Sequence, residues 1–112
     1  MKKSLKQNNS MKKNKLVRDN ILTIIESKGQ VPHSRILDNN EYINELLIKL
    51  GEEVDEVKKD RILDELADVK EVLEALVIAL GFTPQELEKV QAEKRSKNGG
   101  FMKKIFLISV DD

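Results

Sequence analysis

"GEEVDEVKKDRILDELADV", residues 51–69, decides how this chain is built. Nothing from Glu52 to Leu80 is glycine or proline, so the stretch is either the middle of one long helix or the bend of a hairpin. Periodicity separates the two. With each residue advancing ~100°, the apolar stripe of residues 43–57 and that of residues 62–80 are centred ~120° apart on a common wheel. A continuous coiled-coil seam would drift only about 60° over that span, and in the opposite sense. Stripes so misaligned cannot share one straight helix and one core. The reading is a hairpin, with its turn near Lys59–Arg61 and Asp60 as N-cap of the returning helix.

Upstream, Leu16, Val17, Ile21, Leu22, Ile24 and Ile25 recur at helical spacing and stop at Gly29, which predicts a first helix. Asp38 with Glu41 three residues later forms a capping-box signature for the first arm of the hairpin. Downstream, the returning helix ends at Gly81, and Thr83-Pro84-Gln85-Glu86 opens a fourth helix lasting to about Lys97. Gly99-Gly100 breaks that helix, and "KIFLISV" then has the composition of a short strand. The fold class expected is all-α: a four-helix bundle around a central acidic hairpin, residues 14–112 forming one domain. A minimal two-stranded sheet from residues near 35–37 and 104–109 is an added option. Residues 1–13 are a basic, Lys/Asn-rich tail expected to be disordered.

The totals narrow the function classes. Lys plus Arg equals Asp plus Glu at 20 each, so no global field draws in nucleic-acid polymers or an anionic membrane. Aromatics make up 4% with no Trp, too few for base-stacking platforms. The absence of cysteine excludes disulfides and thiolate metal sites and suits a reducing compartment. No apolar run approaches the roughly 18 residues of a membrane span, and a cytoplasmic protein is expected. His33 sits in a proline-containing loop, where an exposed and chemically idle imidazole is expected.

On the hairpin, four acids fall symmetrically. The pairs Glu56/Glu65 and Glu53/Asp68 share a midpoint between Asp60 and Arg61, so in an antiparallel pair they face each other. Glu53 and Glu65 each lie ~70° from the centre of their helix's apolar stripe, and Glu56 and Asp68 ~130° off. Asp68 is nonetheless bordered by Val72, Ala75 and Ala79. The Glu-x-x-Glu and Glu-x-x-Asp spacings set each pair about one turn apart on one side of a helix. Four facing carboxylates repel and lose hydration, a cost that a hard cation offsets. Oxygen ligands without His or Cys point to Mg²⁺, with Mn²⁺ as the substitute. Because 36% of the chain is charged, solvated helix decoration is the competing reading, and it is assigned to Glu52, Asp55, Asp64, Glu71 and Glu74.

"EEVDE" followed by "DELADV" resembles the MazG-like all-α nucleoside triphosphate pyrophosphohydrolase superfamily. "KLVRDNILTII", "SRILDNNEYINELLIKLGEEVDEV" and "AEKRSKNGGFMKKIFL" extend the likeness toward its phosphoribosyl-ATP pyrophosphohydrolase-like branch, over roughly Lys15 to Val110. Leu22 stands where that branch commonly has Pro, and Asn98 where a basic residue is more usual. The resemblance implies Mg²⁺ held by Glu53, Glu56, Glu65 and Asp68. It also implies hydrolysis of a nucleotide, noncanonical ones included, to the monophosphate and pyrophosphate, by a homodimer. Glu56 is the first choice to orient the attacking water, with Glu53 not separated from it. A triphosphate also needs cations, for which Lys15, Arg18, Lys94, Arg95 and Lys97 are the candidates, with Asn98 for a base edge or the turn. Two rivals are phosphoribosyl-ATP hydrolysis and a non-catalytic helical interaction module.

Overall fold

The structure is a computed structural model that describes residues 13–112. The expectation of a disordered tail therefore lies, apart from Lys13, outside the described residues. Four helices follow one another, α1 (Ile21–Ser27), α2 (Asn39–Asp60), α3 (Leu63–Ala79) and α4 (Pro84–Asn98), with no strand among the described residues. The all-α class is as the sequence indicates. No membrane-crossing helix is present among the described residues.

The hairpin is formed by α2 and α3, which pack along each other. The turn departs from expectation. Asp60 is the last residue of α2, not a cap; Arg61 ends the helix in the left-handed conformation at φ 48°, and its N–H donates to the Val57 carbonyl at 2.9 Å. Ile62 is extended and begins α3 with no side-chain cap. Reversing the chain in two residues requires one at positive φ, a geometric demand that outweighs the capping preference of Asp60. A left-handed non-glycine residue costs roughly 1–2 kcal/mol. Arg61→Gly should therefore stabilise the hairpin by ~0.5–1 kcal/mol after the entropy of the added glycine, read as a higher urea midpoint at unchanged slope.

Both predicted capping boxes are present. The Asp38 carboxylate accepts from the Glu41 N–H at 2.9 Å, and Thr83 Oγ1 accepts from the Glu86 N–H at 3.1 Å. Arg35 donates two hydrogen bonds to the Glu41 carboxylate, at 3.2 and 2.8 Å. Those bonds, then the backbone N–H of Asp38, hold the Glu41 pKa at about 2. A depressed carboxylate stabilises the fold above its unfolded pKa of about 4.5. That contribution should disappear as pH falls from about 4.5 through 2, and Arg35→Ala should move the Glu41 carboxyl titration upward, read by NMR.

The first helix is shorter than the apolar spacing predicts. Residues 16–20 run as loop and turn, and Asn20 supplies no side-chain cap. Leu16, Ile21, Leu22 and Ile25 are half-buried all the same, so the apolar pattern reflects packing more than helix length. The run Arg35-Ile36-Leu37 and the segment 104–109 do not pair. Ile36 is 96% exposed, and Ile105, Phe106, Leu107 and Ile108 are 72–90% exposed. A two-stranded ribbon is marginal without a surface to pack on, and this chain gives those segments none.

Burial is confined to the hairpin. Leu46 on α2 with Leu76 and Val77 on α3 are the buried apolar residues among those described. Tyr42, Ile43, Leu50, Val57, Val69 and Val72 surround them half-buried. Gly81, at φ 91°, closes α3: its N–H donates to Ile78 and the following N–H of Phe82 to Val77. From there α4 is set by local signals alone, for it buries no residue and packs only on α3.

Candidate metal centre

Glu53 projects from α2, and Glu65 and Asp68 from the first two turns of α3. One carboxylate oxygen of each lies within 4.8 Å of the others. All three are half-buried, whereas Glu52, Asp55, Asp64, Glu71 and Glu74 are exposed. Several of those outer acids are held by lysines a turn away: Glu52 by Lys49 at 3.6 Å, Asp55 by Lys58 at 3.7 Å and Glu74 by Lys70 at 3.6 Å. The hairpin therefore sorts its acids into an inward set and a solvated set.

The inward set is crowded with negative charge. Loss of hydration raises the Glu65 pKa from its ordinary value, and the charges of Asp68, Glu56, Asp60 and Glu53 push it the same way. Glu56 is close enough to exert that field but stands outside the three-oxygen group. It is half-buried and pairs with Lys59 at 3.9 Å. The donor set fits a hard divalent cation on chemical grounds, since every ligand atom offered is a carboxylate oxygen at a spacing one ion can bridge.

One cation already touches the group. Arg18 donates from Nη2 to Asp68 Oδ1 at 2.6 Å, reaching the hairpin from the turn that precedes α1. Both partners are substantially exposed, so the pair is weak and exchangeable. Removing the guanidinium frees an Asp68 oxygen. On the expectation that these acids hold Mg²⁺ and that Arg18 also grips a triphosphate, Arg18→Ala should strengthen Mg²⁺ binding several-fold by calorimetry while weakening the triphosphate. Opposite signs in the two titrations would separate this dual role from simple loss of structure.

The basic candidates divide. Arg18 is at the acids, and Lys15 is exposed nearby in sequence without an ion pair among the described residues. Lys94, Arg95, Lys97 and Asn98 occupy the last turns of α4, and none of the three cations forms an ion pair with the carboxylates among the described residues. Lys94, Arg95 and Asn98 line an open groove of about 760 Å³ with Leu87, Val90 and Phe101, and no acid lines it. Lys103 and Lys104, of which the sequence reading took Lys104 as the start of a strand and gave Lys103 no role, join Arg95 and Asn98 around an adjoining hollow of about 530 Å³. Their signal was available: a pair of lysines two residues after a Gly-Gly break that follows the basic end of a helix. His33 is exposed, as its loop suggests.

Comparison with protein-family models, with curated proteins and with solved structures returned no match for this chain.

Proposed function

We propose that the chain is a Mg²⁺-dependent nucleotide pyrophosphohydrolase, acting in the cytoplasm as a homodimer on nucleoside or deoxynucleoside triphosphates, noncanonical ones included. The observation that carries this reading is the meeting of Glu53, Glu65 and Asp68 across a hairpin, with an exchangeable Arg18 on the rim. The resemblance of the flanking "KLVRD" and "NGGF" blocks to MazG-like enzymes supplies the nucleotide.

The reaction adds water to the α-phosphorus and breaks the bond from that phosphorus to the oxygen bridging to the β-phosphate. Nucleoside monophosphate and pyrophosphate leave, and the proton lost by the water is taken up by a carboxylate or by solvent. Mg²⁺ held by Glu53, Glu65 and Asp68 would neutralise phosphate oxygens as charge shifts toward the leaving group. Glu56, near the cluster but outside it, suits orientation of the attacking water and acceptance of its proton. Arg18, released from Asp68, suits a forked contact to phosphate. Lys15 adds a point charge on the same approach.

The test is pyrophosphate release from a panel of standard and modified nucleoside triphosphates together with phosphoribosyl-ATP, with Mg²⁺ or with chelator. Metal-dependent release from a triphosphate supports the reading. Preference for phosphoribosyl-ATP would move the activity to histidine biosynthesis chemistry. No release from any member, with no change of melting temperature on adding Mg²⁺, would leave a helical interaction module instead.

A further inference from the structure

The chain is far too extended to be a finished domain. Its radius of gyration is 19.9 Å, whereas a compact fold of this length has about 13 Å. Its long axis is 69 Å, about twice the ~33 Å that the 22 residues of α2 can span. Accessible surface reaches 10012 Å², which exceeds that of a compact 12.8 kDa monomer by roughly 3700 Å². An obligate dimer interface buries about 2000–5000 Å² in total, or about 1000–2500 Å² on each chain, so a second copy would cover a substantial part of the excess.

What needs covering is specific. Leu66 and Leu73 on α3 and Leu80 at its C-cap are 40–51% exposed at seven-residue spacing, which places them along one face of that helix. Beyond α4, Phe101, Met102 and Phe106 are 87–96% exposed. Charge is divided in the same way. Residues 51–68 hold eight carboxylates and three cations, net −5, whereas residues 94–104 hold five cations and no acid, net +5. Yet none of those five cations forms an ion pair with an acid among the described residues, and α4 makes no packing contact with α2.

We propose that in a homodimer the arm formed by residues 84–110 lies across the α2–α3 hairpin of a second copy. Its apolar tail covers the Leu66–Leu73–Leu80 face there, and its basic turn meets the opposing carboxylates. Each site is then composite: acids and Arg18 from one protomer, Lys94, Arg95 and Lys97 from the other. The composite nucleotide site rests on the proposed function; the docking of the arm does not.

The absence of cysteine makes a direct test clean. Asp64→Cys and Ser96→Cys chains, one carrying a mass tag, are mixed at full length, unfolded and refolded together, and oxidised. The expected result is a dimer by sedimentation equilibrium, with the mixed Asp64→Cys/Ser96→Cys disulfide forming at least tenfold faster than either homotypic one. A monomer, or a dimer without that enrichment, overturns the proposal. So does rapid intrachain bonding in the double variant at high dilution. No substrate enters this assay, so failure of the catalytic reading leaves it intact. If turnover is present, Glu53→Gln mixed with Arg95→Ala should recover roughly a quarter of wild-type activity by random pairing of protomers. No recovery would place both residues in one chain's site and overturn the composite arrangement.

Discussion

Under the proposed Mg²⁺-dependent hydrolysis, Glu56→Gln should lower kcat by about 10²–10⁴-fold while leaving Mg²⁺ binding nearly intact, and Glu53→Gln or Asp68→Asn should remove both. The split follows from position. Glu53, Glu65 and Asp68 present oxygens within 4.8 Å of one another, so replacing Glu53 or Asp68 by its amide deletes one of three anionic ligands. Glu56 lies beside the group and pairs with Lys59, so its loss spares the ligand set. Melting curves with and without Mg²⁺ supply the binding readout. At metal a hundredfold above its Kd, the native state gains about 2.7 kcal/mol, a rise on the order of 10 °C for a chain of this size. The Glu56 variant should keep that rise and lose turnover. A Glu56 variant with full turnover would remove it from the chemistry, and one that lost the thermal rise as well would make it a ligand.

The acids could be found from sequence because their arrangement is almost entirely local. A hairpin, once argued from the misaligned stripes, fixes which residues of α2 oppose which of α3, and Glu53 opposite Asp68 follows from that; the same register set Glu56 opposite Glu65, whereas the oxygens that meet are those of Glu53, Glu65 and Asp68. The capping boxes at Asp38 and Thr83 were legible for the same reason, since each is a four-residue interaction. What was not legible depends on contacts distant in the chain. Asp60 has the right chemistry for a cap, but the reversal demanded a positive φ and Arg61 took it. The run "KIFLISV", beginning at Lys104, has the composition of a strand and no strand partner among the described residues. The basic end of α4 looked like part of a phosphate grip, yet periodicity describes a helix and not where its neighbour sends it. Arg18 was picked for phosphate, and it pairs with Asp68 from a segment, residues 16–20, that runs as loop and turn where the apolar spacing predicts helix.

Leu76→Ala should unfold the metal-free chain at moderate temperature and, with Mg²⁺ held as proposed by Glu53, Glu65 and Asp68, be rescued by that ion. Leu76 is 7% exposed and belongs to a buried set of three among the described residues, with Leu46 and Val77. Truncating a buried leucine costs about 2–5 kcal/mol, against a total stability of roughly 5–15 kcal/mol for a domain. Here no second layer of core absorbs the loss, so the effect should fall at the upper end. The same hairpin that Leu76 holds together also holds Glu53 against Glu65 and Asp68, so a cation bridging them acts as a second clasp on one joint. Metal that binds only the native state adds stability by mass action and should restore most of what the cavity removes. Far-UV circular dichroism of Leu76→Ala with Mg²⁺ titrated from zero tests the coupling. Recovery of helicity that saturates with metal, and that vanishes when Asp68→Asn is added, is the expected outcome. Recovery that survives Asp68→Asn would reduce the Mg²⁺ effect to general screening of the acidic surface, and the three carboxylates would revert to helix decoration.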